Sequence, residues 1–428
     1  MKTYKYPPQE KWDELCRRPA TDTSEFESGV RSIISRVRSE GDNALRDFSF
    51  EFDHVTIDNL KVTREELEES EKFIAPELKN AIRTAMENIK KFHEAQLSEG
   101  ETVETMPGVK CRRKKVPVEK AGLYIPGGSA PLFSTVLMLG IPAKIAGCRQ
   151  IILCTPPGKD GLINPLILYT AKLTGITDIY RVGGAQAIAA MAYGTESIPR
   201  VDKIFGPGNQ YVTKAKEIVS SDGTAIDMPA GPSELLVIAD SGADPVFVAA
   251  DLLSQAEHGP DSQVVLVTDS ENLIKTTEDN VNKQLEKLPR KNIASRSLAN
   301  SIAVLLKDLN ECIDFSNNYA PEHLIINTEE ADELAGKVIN AGSVFTGRYT
   351  CESAGDYASG TNHTLPTNGY ARSHSGVSTD SFFKQITFQE ISREGIIRLG
   401  PVIELMAEAE NLAGHKNAVS VRLKSIKE

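Results

Sequence analysis

From residue 116 onward the sequence alternates short apolar runs with amphipathic stretches, and few folds accept that rhythm. Apolar runs at 120–125, 150–154, 178–182 and 201–205 have the length of buried strands. Helical stretches at 131–146, 162–173, 185–192 and 211–220 separate them. The pattern restarts after Ser233, with runs at 235–239, 263–268, 302–306 and 323–326 and helical stretches near 244–257, 271–288 and 329–338. Strands spaced by helices of about 10–15 residues form βαβ units, whose crossovers cover both faces of a parallel sheet. The expectation is an α/β protein with two consecutive Rossmann-like parallel-sheet domains.

The flanks read differently. Residues 1–115 are charge-rich and read mainly as helices, for example over 25–50 and 64–97, and they contain no GxGxxG fingerprint. The last sixty or so residues read as helix, closing on 417–423, where apolar and polar residues alternate as in an edge strand. That segment is too small for a core of its own and must dock on something. The expected division is an arm at 1–24, a Rossmann-like domain at 116–232, and a second α/β domain made of 25–115 with 233–365. A C-terminal segment at 366–428 completes it.

A net charge of −11 across 428 residues argues against a nucleic-acid binder, which needs a basic face to meet phosphates. No stretch reaches the roughly 18–20 apolar residues that span a bilayer, and no membrane partner is expected. The first twenty residues are polar and lack the apolar core of a secretory signal, so a cytoplasmic enzyme is expected. Cysteines at 16, 111, 148, 154, 312 and 351 make no CxxC pair, which leaves free, mostly buried thiols.

Three expected strand-to-helix turns are glycine-rich: Pro126-Gly127-Gly128-Ser129, Gly183-Gly184-Ala185-Gln186 and Gly206-Pro207-Gly208-Asn209. They either turn the chain or, at the carboxyl ends of strands, offer helix N-termini to an anionic dinucleotide. The run 227–234, ending in Ser233-Glu234, is either a linker or a substrate-contacting turn in an interdomain cleft. Gln255 and His258 lie three apart at the end of a helix stopped by Gly259-Pro260, a spacing suited to metal ligands or to a histidine at a helix terminus. Glu322-His323 opens a buried-looking strand, where adjacent acid and imidazole groups are costly unless paired or used. The run 351–363 combines carboxylate, imidazole and glycine with little apolar content, as a site loop does, and Asp356 could complete an oxygen–nitrogen set with Gln255 and His258 for Zn²⁺ or Mn²⁺. Glu410 and His415 lie after a C-terminal amphipathic helix. Read alone, these fragments describe a metal-assisted α/β enzyme.

Taken in order, AIDMPAGPSELLVIAD, DLLSQAEHGPDSQ, NYAPEHL, ESAGDYASGTNHTLPT and AGHKNAVS are more specific. Through them the chain resembles the histidinol dehydrogenases, over roughly residues 25–428. The resemblance implies oxidation of L-histidinol through L-histidinal to L-histidine, the last steps of histidine biosynthesis, with NAD as oxidant. It implies one Zn²⁺ per subunit on Gln255, His258, Asp356 and His415, with Glu322 and His323 as the acid–base pair. It further places Ser233, Gln255, His258, His323, Asp356, His363, Glu410 and His415 around the substrate, and Tyr124, Gln186 and Asn209 at the cofactor. A homodimer is implied, in which 366–428 reaches over the partner so that sites are shared. Cys351 departs from the family pattern, which has proline before Glu-Ser. Two other enzyme readings stand beside this one: an aldehyde dehydrogenase using Cys148 or Cys154, and a zinc hydrolase without nucleotide.

Overall fold

A computed structural model describes residues 1–19, 24–98, 100–127, 131–229 and 231–427. The alternating region forms two parallel sheets. The five-stranded sheet runs in the order Asp178–Arg181, Gln150–Thr155, Lys120–Tyr124, Lys203–Phe205, Ala225–Ile226. The six-stranded sheet runs Lys2–Lys5, Ile302–Leu305, Gln263–Thr268, Glu234–Ala239, His323–Asn327, Ser343–Thr346. Every neighbouring pair in both is parallel, and within each α/β run the first strand is central and the order reverses beside it. Full burial explains the uninterrupted apolar runs: all residues of Glu234–Ala239 and Gln263–Thr268 are buried.

Helix starts follow local chemistry. Asn164 and Asp244 each precede a proline and accept from the main-chain N–H two residues on, capping Pro165–Leu173 and Pro245–Ala256. Asn209 caps Gln210–Ser221 by accepting from Tyr211 and Val212. The expected helix over 25–50 is broken at Gly41, whose φ of 57° a helix does not accept, and that over 64–97 is interrupted before Pro76.

Packing redraws the expected grouping. Helices Ser24–Glu40 and Asp42–Phe48 place Val30, Ile34, Leu45 and Phe48 with Ile188 and Met191 on one face of the five-stranded sheet. Pro76–Glu94 lays Ile82 and Ile89 against Leu137 and Met138 of Phe133–Ala146. These helices therefore cover the unit around 116–232 and not, as expected, the one around 233–365. The arm supplies the missing cover instead: Lys2–Lys5 forms the edge strand of the six-stranded sheet, and Trp12 and Cys16 pack with Phe315 and Tyr319.

The flanks also hold an antiparallel sheet not legible as such: Thr102–Met106, Val109–Pro117 and Phe383–Ile391. Val109–Pro117 is mostly charged and little buried, so it lacks the alternation that marks a strand. The expected edge strand at 417–423 is instead part of helix Ala413–Lys427. Val419 and Leu423 are four apart and both meet Gly400 of helix Arg393–Ala409, a spacing that helix and strand patterns share over so short a run. No described helix is long and apolar enough to cross a membrane.

Candidate active site

Glu322 and His323 sit at the amino end of His323–Asn327, beside Glu234 at the start of the neighbouring strand. The Glu322 carboxylate accepts from the Glu234 main-chain N–H at 2.9 Å. His323 Nδ1 lies 3.3 Å from the Glu234 carbonyl and 3.5 Å from Glu322. A carbonyl only accepts, so Nδ1 carries the proton of the neutral ring and Nε2 is the basic nitrogen. Nε2 is buried and has no hydrogen-bond partner among the described residues; Asp356 approaches it only to 3.6 Å. Burial disfavours the imidazolium, yet the surrounding carboxylates, Glu322 and Glu352 foremost, outweigh it and hold His323 well above the usual histidine range; a cation seated among those carboxylates would offset their pull and leave Nε2 free to accept a proton.

Ligand-type atoms of His258, Glu352 and Asp356 lie within 4.8 Å of one another. Gln255 ends the buried face of Pro245–Ala256, and His258 follows in a turn closed by its N–H to the Gln255 carbonyl at 3.2 Å. With its amide turned to satisfy both neighbours, Gln255 donates to Glu352 and accepts from the Glu234 N–H at 3.0 Å. Glu352 and Asp356 stand four apart on Glu352–Tyr357, on one face of that helix. Burial pushes Glu352 up to about 8 against the opposing pull of His323. Burial would raise Asp356 too, but His323, His363 and His258 hold it below the usual carboxylate range. The expected His363 sits behind this group with both nitrogens engaged: Nδ1 on the Asp356 carbonyl at 2.9 Å and Nε2 at Thr135 Oγ at 3.1 Å.

The expected cofactor residues lie at the carboxyl ends of the five-stranded sheet. The Tyr124 hydroxyl accepts from the Gly184 N–H at 3.1 Å, and burial lifts its pKa to about 12, so it stays neutral. Gln186 is buried one turn further, against Gly184. At Gly206 the φ is 127° and a Cβ would collide with the Tyr124 carbonyl, so this glycine is required by packing as well as by the turn. Gly128, Ser129 and Ala230 of the expected motifs lie outside the described residues. A cleft of about 700 Å³ is lined by Asn209 and Lys214 from this unit and by Ser233, His258, Arg18 and Tyr370.

Residues 16–423 match the family model "Histidinol dehydrogenase". A histidinol dehydrogenase of Bacteroides thetaiotaomicron is 60% identical over 427 residues, covering 100% of both chains. One from Escherichia coli is 53% identical over 418 residues, covering 97% of this chain and 95% of its own. The crystal structure of histidinol dehydrogenase from Elizabethkingia anophelis superposes with a TM-score of 0.98 at 55% identity, covering 100% of this chain and 99% of that one. The chain belongs to the histidinol dehydrogenase family.

Membership makes it one of a family of NAD-dependent oxidoreductases acting on a CH–OH group. The competing thiol reading loses its nucleophiles: burial keeps Cys148 protonated, at about 11, and drives Cys154 higher still. Cys351, at the departure from the family pattern, is an exposed thiol preceding Glu352. The residues expected at the metal fit a cation. Ligand-type atoms of His258, Glu352 and Asp356 converge within reach of one ion, and the crowding of Glu322, Glu352 and Asp356 that helps raise Glu352 is what a positive ion would relieve. Two expected residues are not brought there within one chain. Glu410 and His415 are exposed on the C-terminal helix pair, outside the His258–Glu352–Asp356 group. Glu352 joins the group although motif reading left it out; its spacing of four from Asp356 on a short helix was the available signal.

Proposed function

We propose that the chain oxidises L-histidinol to L-histidinal and then L-histidinal to L-histidine, using one NAD⁺ in each step. The observation that carries this reading is the buried, unpartnered Nε2 of His323 next to Glu322, near a cleft lined by the Asn209 turn. In the first step His323 Nε2 takes the hydroxyl proton while a hydride leaves the carbinol carbon for NAD⁺, giving aldehyde, NADH and a proton. In the second, water adds to the aldehyde. Glu322, fixed by the Glu234 N–H, takes a proton from that water while His323 returns the proton gained in the first step to the aldehyde oxygen; His323 then takes a hydroxyl proton of the resulting diol as the second hydride leaves for NAD⁺. The products are the carboxylate, a second NADH and protons. Tyr124, Gln186 and Asn209 hold NAD, which performs the redox chemistry while the chain orients it and shifts protons.

Gln255, His258 and Asp356 would hold one zinc, completed by His415 of the partner subunit. When bound, the ion supplies positive charge against the surrounding carboxylates and a position for the substrate's nitrogens. Ser233, His363 and the partner's Glu410 complete the substrate surroundings. Support for a shared site comes from the C-terminal hairpin, where Leu405 is 70% and Met406 61% exposed, and from Ile386 and Phe388 on the adjoining strand. An apolar surface of that kind needs a partner, and a two-fold dimer provides one.

Appearance of NADH absorbance when L-histidinol meets enzyme and NAD⁺ tests the reading. A zinc hydrolase would leave NAD⁺ unreduced.

A further inference from the structure

The N-terminal arm carries a side chain tied to the site. Arg18 Nε and Nη2 donate to the two carboxylate oxygens of Glu234 at 2.7 and 2.8 Å. Nη1 donates to the Cys16 carbonyl at 3.1 Å and Nη2 to the Ala320 carbonyl at 3.3 Å. The guanidinium lies 3.6 Å from the centre of the Tyr319 ring, whose hydroxyl donates to Gln263 at 2.7 Å. The Arg18 side chain is 14% exposed and that of Glu234 1%.

The consequence lies in the main chain that Arg18 grips. Glu234 donates its N–H to Glu322 and offers its carbonyl to His323 Nδ1. Ala320, two residues before Glu322, holds a φ of 53°, a left-handed conformation that a residue with a Cβ adopts at a cost. One planar fork thus clamps the residue that orients the acid–base pair and the turn that delivers it. Only a guanidinium meets a carboxylate with two parallel N–H bonds and still has donors for two carbonyls.

We propose that Arg18 is a positioning residue for the reaction. It fixes Glu234 and Ala320, and through them aims Glu322 and His323. The inference rests on the histidinol dehydrogenase reading of the site.

The test uses the full-length dimeric enzyme with its metal, and compares wild type, R18K, R18M and R18M/E234Q. The double variant removes the buried carboxylate with its partner, so it stays folded if R18M does not. Kinetics are measured below each protein's melting temperature, and zinc content is measured throughout. Loss of aim in a group that must meet a reacting atom lowers kcat on the order of 10²-fold, with KM for L-histidinol and NAD⁺ little changed. R18K should fall between, and zinc content should match wild type. A purely structural ion pair would lower the melting temperature and leave kcat at the wild-type value in R18M or R18M/E234Q, which overturns the proposal. Amide exchange over 233–239 and 320–327 needs no turnover: faster exchange confined to these segments supports the proposal, whereas exchange raised throughout the six-stranded sheet, or unchanged exchange, overturns it. A wild-type enzyme inert toward L-histidinol would strike the functional reading, and exchange would still decide the role of Arg18.

Discussion

The third glycine turn is braced by a buried ion pair, and Lys216→Met should show how much that brace matters. Lys216 Nζ lies 2.5 Å from Asp227, with side-chain exposures of 5% and 1%. Lys216 also donates to the Gly206 carbonyl at 2.9 Å, while Asp227 accepts from the N–H of Gly206 at 2.8 Å and of Met228 at 2.7 Å. The pair therefore grips both polar groups of Gly206, three residues before Asn209. Removing one partner of a buried pair costs about 3–5 kcal/mol. Asp227 keeps two N–H donors, and Lys203 remains within electrostatic reach, so the loss belongs at the lower end, about 3 kcal/mol. For a unit of this size that is a fall of roughly 6–12 °C in its calorimetric transition. If the turn holds NAD, KM for NAD⁺ should rise while zinc content stays at wild type. A fall of less than about 2 °C in K216M, with KM for NAD⁺ unchanged, would refute the bracing role.

His258→Ala and Asp356→Ala should each lose about one zinc per chain and nearly all turnover, with circular dichroism unchanged; a dialysed H258A protein that keeps its zinc removes His258 from the metal site. Glu322→Gln should slow oxidation of L-histidinal more than of L-histidinol, whereas His323→Asn should slow both roughly 10²–10⁴-fold; equal effects of E322Q on the two steps would exclude water activation. Mixing H258A and H415A chains should restore about a quarter of wild-type activity, since about half the dimers are mixed and each of those carries one intact site. No recovery in isolated mixed dimers would place His415 in its own chain's site.

Both parallel sheets were legible because buried strands such as Glu234–Ala239 and His323–Asn327 carry uninterrupted apolar runs (235–239 and 324–326) and the helices between them are long enough to cross over. What local pattern does not carry is which sheet a helix covers. Val30 and Ile34 make an apolar stripe that fits either unit, and only the packing sends it to Ile188 and Met191. The direction in which each sheet faces the site was hidden for the same reason. Ligands of parallel sheets gather at carboxyl strand ends, as at Tyr124 and Gly184, yet Glu234 and His323 stand at amino ends of the other sheet. Gln255 reaches that end because its helix runs back along the sheet from Pro245. Arg18 was invisible to spacing: 216 residues separate it from Glu234, and the strand Lys2–Lys5 that anchors its arm is short and mostly exposed.

The central claim, a four-electron oxidation within one metal-dependent site, meets its most direct test in a stoichiometry. Limiting L-histidinol is exhausted with excess NAD⁺, and NADH and L-histidine are counted before chelation, after it, and after Zn²⁺ is returned. Two NADH and one L-histidine should form per L-histidinol, with turnover lost on chelation and recovered with Zn²⁺. One NADH per L-histidinol with L-histidinal left in solution, or full turnover in enzyme shown to be free of metal, would contradict that claim.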